Sequence, residues 1–256
     1  MAKIKTQQDI DALISLGKRH GEVLQAVCDA VKPGVTTEEL NTLTEKLITE
    51  KGDTPAFKGY QPQGAPRPYP CGLCTAPNNI VVHGIPTENN YTLKEGDIIG
   101  LDSGIQRGTY IIDAGKTVPV GKIDEKAKKL LYVTKEALMR GVMEAREGNT
   151  VGDIGHAIES HVRSEGYGVV RELCGHGVGH ALHEDPQIPN FGSPGTGEML
   201  EKGMVIAIEP MVNEGSGAVT FLADGYTVET QDGSRSAHFE HNVVITDGDP
   251  IILTDI

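Results

Sequence analysis

The sequence predicts an α/β protein of two similar halves, in which helices cover antiparallel strands. Three observations lead there. A helix–helix–strand pattern recurs at an offset of 114 positions, an apolar β-branched run doubles back near residue 107, and no composition shift divides the 256 residues. A chain of this length can bury a substantial core. Its 38% hydrophobic and 23% charged content is that of a globular protein. One domain over residues 1–256 is therefore expected.

The elements follow in order. Residues 9–31 place Ile10, Leu13, Ile14, Leu24, Val27, Cys28 and Val31 at helical spacing. Thr36-Thr37-Glu38-Glu39 is a capping box opening a second helix, with Leu40, Leu43, Leu47 and Ile48 inward. Lys58–Cys74 holds four prolines and reads as a surface loop. Strands are expected at 97–103 and 109–113, then a helix over 124–147 with Ala127, Leu130, Leu131, Leu138 and Val142 on its apolar side. A fourth helix starts at Thr150 and carries Ile154, Ile158 and Val162. The remaining strands are expected at 204–209, 218–222, 226–230 and 237–246. The repeat aligns Gly34 with Gly148, Thr36 with Thr150, Leu40 with Ile154, Glu45 with Glu159, Ile48 with Val162 and Gly52 with Gly166. Any two capped helices share some of this pattern. Six aligned positions favour a duplication, with a site at the pseudo-symmetric centre fed from both halves.

A net charge of −13 argues against nucleic-acid readout and against adhesion to anionic membranes. No apolar run approaches the roughly 18 residues of a membrane span. The segment MAKIKTQQDIDALISLGKRHG has no continuous apolar stretch, so a cytoplasmic protein is expected. Cys28, Cys71, Cys74 and Cys174 make no disulfide framework, and the lone pair Cys71/Cys74 suggests structural or substrate-lining thiols.

The chemistry centres on carboxylates. If Arg107-Gly108 is a two-residue turn, Asp102 lies directly opposite Asp113, with Cβ atoms about 4.5–5.5 Å apart. Such a pair repels unless a proton or a metal lies between. Glu209 in MVIAIEP and Glu240 in AHFEHNVVI also fall on runs fit for buried strands. Strand alternation could turn either one to solvent. Both together with the aspartate hairpin favour a cation, because an unpaired buried carboxylate costs several kcal/mol. Nine histidines are present, three of them in CGHGVGHALHEDP as His176, His180 and His183. Gly177 and Gly179 disfavour a helix there, which suggests a glycine-rich loop offering one His to a metal and another to substrate. His20, His156 and His161 read as ordinary helix residues. An oxygen-rich set suits two hard or borderline divalent ions. With no GxSxG, Walker A or Rossmann pattern, metal-assisted amide or acyl hydrolysis is the chemistry indicated.

In order along the chain, Asn78–Pro86 (NxxxxHGIP), LDSG…IDAGKT, CGHGVGHALHEDP, IEPMVN and SAHFEHNVVIT resemble the type I methionine aminopeptidases over nearly its whole length. The resemblance implies the pita-bread fold and removal of N-terminal methionine by a hydroxide bridging two divalent ions (Co, Mn, Fe or Zn), with a small second residue preferred. It implies that Asp102 chelates one ion, that Asp113 and Glu240 bridge, and that His176 and Glu209 hold the other, Glu209 also shuttling a proton. It gives His83 a contact to the substrate amine or departing nitrogen, and His183 a hydrogen bond to the scissile carbonyl. A methionine pocket of Tyr60, Tyr69, Cys74, Leu182 and Tyr226 is implied too, as are a monomer and nascent chains near the ribosomal exit tunnel as partners. The chain departs from the family in a Pro-rich loop longer by about six residues. It also has Leu182 where an aromatic is common, and Tyr226 where bacterial members carry Trp. The rival readings are an Xaa-Pro peptidase of the same fold and a non-catalytic peptide-binding member.

Overall fold

A computed structural model describes residues 5–254. The first four positions (including the start of the N-terminal segment considered above) and the last two lie outside the described residues. The helices form where periodicity placed them: α1 Gln7–Asp29, α2 Thr37–Glu50, α3 Glu125–Glu144 and α4 Val151–Ser164. Shifting α2 by 114 positions lands on α4 at both ends. The likeness extends to the caps. The carboxylate of Glu39 accepts from the Thr36 backbone N–H, and that of Asp153 from Thr150, each at 2.8 Å. Both helices are entered through a left-handed glycine, Gly34 at φ +92° and Gly148 at φ +89°, and left through another, Gly52 and Gly166.

The strand ladders are all antiparallel. In the first half, the hairpin Ile98–Arg107/Tyr110–Pro119 pairs with Leu73–Pro77 and Thr54–Pro55. In the second, His241–Val244, Val205–Ile208, Cys174–Gly177 and Glu184–Pro189 lie side by side, with Ile251–Ile252 at one edge. Each half has its own core. Leu13, Leu24, Leu40 and Ile48 of α1 and α2 pack on Leu73, Leu101, Ile105 and Ile112. Leu130, Leu138, Ile154 and Ile158 of α3 and α4 pack on Ile188, Ile206, Ile208 and Val243. The helices thus cover one face of the strands, and the opposite face is left to form the site.

Four local expectations are corrected. The hairpin turns at Gly108-Thr109, so Arg107 faces Tyr110, Asp102 faces Gly115 and Asp113 faces Gly104. Gly108 takes positive φ as the first loop residue, a position that glycine fills without strain. The shift of register is two residues, so both aspartates keep the same face but sit diagonally. Secondly, His176 lies on a strand, Cys174–Gly177, and not in a loop. Its glycines serve close packing: a Cβ on Gly175 would meet the Ala207 carbonyl at 2.2 Å, and one on Gly177 the Asp185 carbonyl at 2.2 Å. Thirdly, the strand expected at 237–246 is broken at Phe239-Glu240 into Ser236–His238 and His241–Val244. Finally, the Pro-rich segment is a surface loop only as far as Pro68. Tyr69 and Cys71 are buried and Leu73 enters a sheet. Polar groups there are satisfied internally: Tyr69 donates to the Gly84 carbonyl at 2.8 Å, and the Asn41 side-chain oxygen accepts from the Gly72 and Leu73 N–H groups.

Candidate active site

The face of the hairpin away from the helices carries Asp102 and Asp113. Asp113 is buried and clamped by Asn242, whose amide donates to Oδ1 at 3.0 Å while its oxygen accepts the Asp113 N–H at 2.9 Å. Glu209 follows the strand Val205–Ile208. Glu240 sits in the strand break, where its N–H donates to the Gly115 carbonyl at 2.8 Å. His176 Nε2 lies 3.6 Å from Asp113 Oδ2 and 3.5 Å from Glu209 Oε1. One ligand atom each from Asp113, His176 and Glu240 falls within 4.8 Å of the others. Asp102 lies outside that trio but lines the same cavity, and its charge acts on Glu240.

The electrostatics of this cluster call for positive charge. Burial, then the neighbouring carboxylates, hold Asp102, Glu209 and Glu240 well above the usual carboxylate range. Burial raises Asp113 to about 6, against the lowering effect of Asn242. Among the described residues, buried Asp102 Oδ1 and Glu240 Oε1 find no hydrogen-bond partner. Burial also lowers His176 to about 4, so its imidazole is neutral and can ligate near neutral pH. Neutral imidazole, four desolvated carboxylates and orphaned oxygens make a set that fits divalent ions of the oxygen-preferring and borderline kind.

Beside the cluster stand two more histidines. His83 follows the strand Ile80–Val82 in a left-handed conformation, φ +60°, an uncommon state for a side-chain-bearing residue and one found at functional sites. His183 packs edge-on to His176 with ring centroids 4.4 Å apart, and its Nδ1 is 2.9 Å from the Tyr60 hydroxyl. Burial lowers both histidines to about 4, helped by neighbouring imidazoles. The expected pocket residues meet here as well. Tyr69, Cys74 and Leu182 are buried in one apolar cluster with Phe57 and Ile85, against which Tyr60 and Tyr226 pack. A cavity of about 440 Å³ is lined by all twelve residues read from the sequence: the five candidate carboxylate and histidine ligands, the other two histidines and the five expected pocket residues.

Sequence reading missed several neighbours. His238 is buried with Nε2 3.7 Å from Glu209 Oε2, and its ring blocks any Cβ on Gly115. The signal was available, since His238 and Glu240 are two apart in a strand-like run and so share a face. Asn242 gave none. Phe57, Leu173 and Phe221 also line the cavity, as do Pro62, Gln63, Gly64 and Ala65 of the Pro-rich loop and Gly225.

Residues 12–247 match the profile of metallopeptidase family M24. The chain belongs to that family. Within M24, it is 44% identical to a methionine aminopeptidase of Clostridium perfringens over 99% of each chain. It superposes on the crystal structure of a methionine aminopeptidase from Thermotoga maritima with a TM-score of 0.94, at 42% identity and full coverage of both chains. An Xaa-Pro dipeptidase from Bacillus anthracis gives 0.74 at 21% identity, covering 99% of this chain and 62% of that one, which shows the shared fold alone. The chain is thus an M24 hydrolase of the methionine aminopeptidase branch, with the pita-bread fold and a divalent-metal cofactor. Among the described residues, no helix is long and apolar enough to cross a membrane.

Proposed function

We propose that this M24 hydrolase removes N-terminal methionine by cleaving the first peptide bond, preferring a small second residue, with two divalent ions (Co, Mn, Fe or Zn) among its five ligands. The observation that carries this is the meeting, in one cavity, of the anionic ligand set with an apolar, tyrosine-rich recess. Tyr69 and Tyr226 meet edge to face at 5.1 Å, with Cys74 and Leu182 beside them. Such ring edges suit a thioether, which gains from contact with aromatic rims.

Asp102 would chelate one ion, Asp113 and Glu240 would bridge, and His176 with Glu209 would hold the second. Bound ions supply a Lewis acid and make a water acidic enough to act as nucleophile near neutral pH. Glu209 takes the proton of the attacking water and passes it to the departing nitrogen. His183 donates to the scissile carbonyl oxygen where negative charge develops. His83 faces the substrate amine or the departing nitrogen. The same reading makes the protein a cytoplasmic monomer, one domain throughout, acting on nascent chains near the ribosomal exit.

The test compares two peptide classes on one preparation, chelated and then reloaded with Mn²⁺, Fe²⁺, Co²⁺ or Zn²⁺ in turn. Release of methionine from Met-Ala peptides, absent after chelation and restored with two ions per chain, is expected. Cleavage of Xaa-Pro peptides alone would refute the methionine assignment. Peptide binding without cleavage of either class would favour the non-catalytic reading.

A further inference from the structure

Tyr60 belongs to two parts of the site at once. Its ring packs on the apolar cluster of Tyr69, Cys74 and Leu182 that forms the recess. Its hydroxyl lies 2.9 Å from His183 Nδ1, with the two rings edge to face at 5.2 Å. The backbone of Tyr60 is held firmly: its N–H donates to the Phe57 carbonyl, and its carbonyl accepts from the Tyr69 N–H at 2.8 Å. The Gly59 N–H donates to the Tyr69 carbonyl as well, so a pair of bonds closes the neck of the Pro-rich loop at Tyr60. Beyond the neck, Pro62, Gln63, Gly64 and Ala65 reach the cavity wall. On the other side, the loop bearing His183 is fixed by Glu184, which accepts from the His180 and Ala181 N–H groups and pairs with Lys5 Nζ at 2.7 Å. The two backbones are anchored independently. The Tyr60–His183 bond is what joins the side chains.

We infer that Tyr60 is a positioning residue, which couples filling of the methionine recess to the orientation of His183. This rests on the role of His183 as carbonyl donor given above. The phenol keeps its proton near neutral pH, since a tyrosine hydroxyl ionises only at about pH 10. Donating to Nδ1, it places the imidazole proton on Nε2, at the opposite edge of the ring. That is the tautomer able to donate to a substrate carbonyl. A methionine side chain in the recess packs against the Tyr60 ring and so steadies the hydroxyl that aims His183. Shorter N-terminal side chains leave the ring free, and their penalty falls on kcat as well as on KM.

The experiment is Tyr60→Phe, which keeps the ring and removes the hydroxyl, in the metal-loaded enzyme. Loss of one such hydrogen bond is expected to lower kcat on a Met-Ala peptide by about tenfold, with KM changed less than about twofold. In a His183→Ala background the same substitution should add nothing further, because the group it acts through is gone. An equal loss in both backgrounds, or a change confined to KM, would overturn the inference. A readout independent of activity is the ¹⁵N spectrum of the histidines in zinc-loaded protein. The His183 resonances should report a proton on Nε2 in the wild type and a shifted Nδ1 in Tyr60→Phe. An unshifted Nδ1 would overturn the inference even if the enzyme released no methionine, an outcome that would separately sink the functional reading.

Discussion

Asn242 lies too deep to touch substrate, yet it should govern how well the site holds metal. It is fully buried and makes two bonds to Asp113, donating to the carboxylate at 3.0 Å and accepting the backbone N–H at 2.9 Å. Asn242→Ala removes both and strands the Asp113 N–H in the interior. A bond to an ionised group contributes about 1.5–3 kcal/mol, and a stranded buried donor costs about 1–3 kcal/mol. A loss of about 3–5 kcal/mol in stability is expected from the pair of effects. For a chain of this size, roughly 2–4 °C of melting temperature accompanies each kcal/mol, so Tm should fall by about 6–20 °C. With its carboxylate no longer aimed, Asp113 should also bind metal about 10–100-fold more weakly, the usual penalty for losing a group that orients a ligand. Thermal unfolding of the chelated protein measures the first effect and calorimetric Mn²⁺ titration at low temperature the second. Wild-type affinity in a folded Asn242→Ala protein would refute the reasoning, because Asp113 would then be oriented by something other than Asn242.

Two further outcomes follow from the same geometry. Loading metal into the chelated protein at about pH 5.5 should release protons. Asp113 is raised to about 6, and burial lifts Asp102, Glu209 and Glu240 well above the usual range, so the metal-free site holds protons that a cation displaces. Calorimetric binding heats that do not change with the ionisation enthalpy of the buffer would contradict the argument. Gly175→Ala drives a Cβ against the Ala207 carbonyl at 2.2 Å, and backbone cannot step aside as a side chain can. About 1–3 kcal/mol of destabilisation in urea is expected, with weaker metal binding through the displaced His176. Unchanged values on both counts would mean that the two strands can separate freely.

The sequence disclosed most where a residue type was out of place. Carboxylates on β-branched runs and histidines among glycines marked the cluster before any contact was known, and the capped helices showed the duplication through glycines required at positive φ. What escaped depended on partners distant along the chain. Asn242 is an ordinary polar residue until Asp113, 129 positions away, is brought against it. The hairpin register turned on which loop position Gly108 would fill, and an Arg-Gly-Thr stretch admits both. The strand at 174–177 was hidden because its glycines, read as flexibility, are there to let neighbouring backbones approach. Tyr69 and Cys71 looked exposed amid prolines, although the Tyr69 hydroxyl is satisfied by the Gly84 carbonyl and the Cys71 thiol by the Thr87 hydroxyl, which allows burial.

The duplication has a consequence for how the molecule is held together. Asp102 and Asp113 come from the first half, whereas His176, Glu209 and Glu240 come from the second, and neither α1–α2 with its hairpin nor α3–α4 with its sheet owns a complete ligand set. If these five residues hold the cofactor metal as proposed, the metal would clasp one half to the other. Its binding free energy is then also docking free energy between the halves, so metal depletion should loosen the seam before it melts either core.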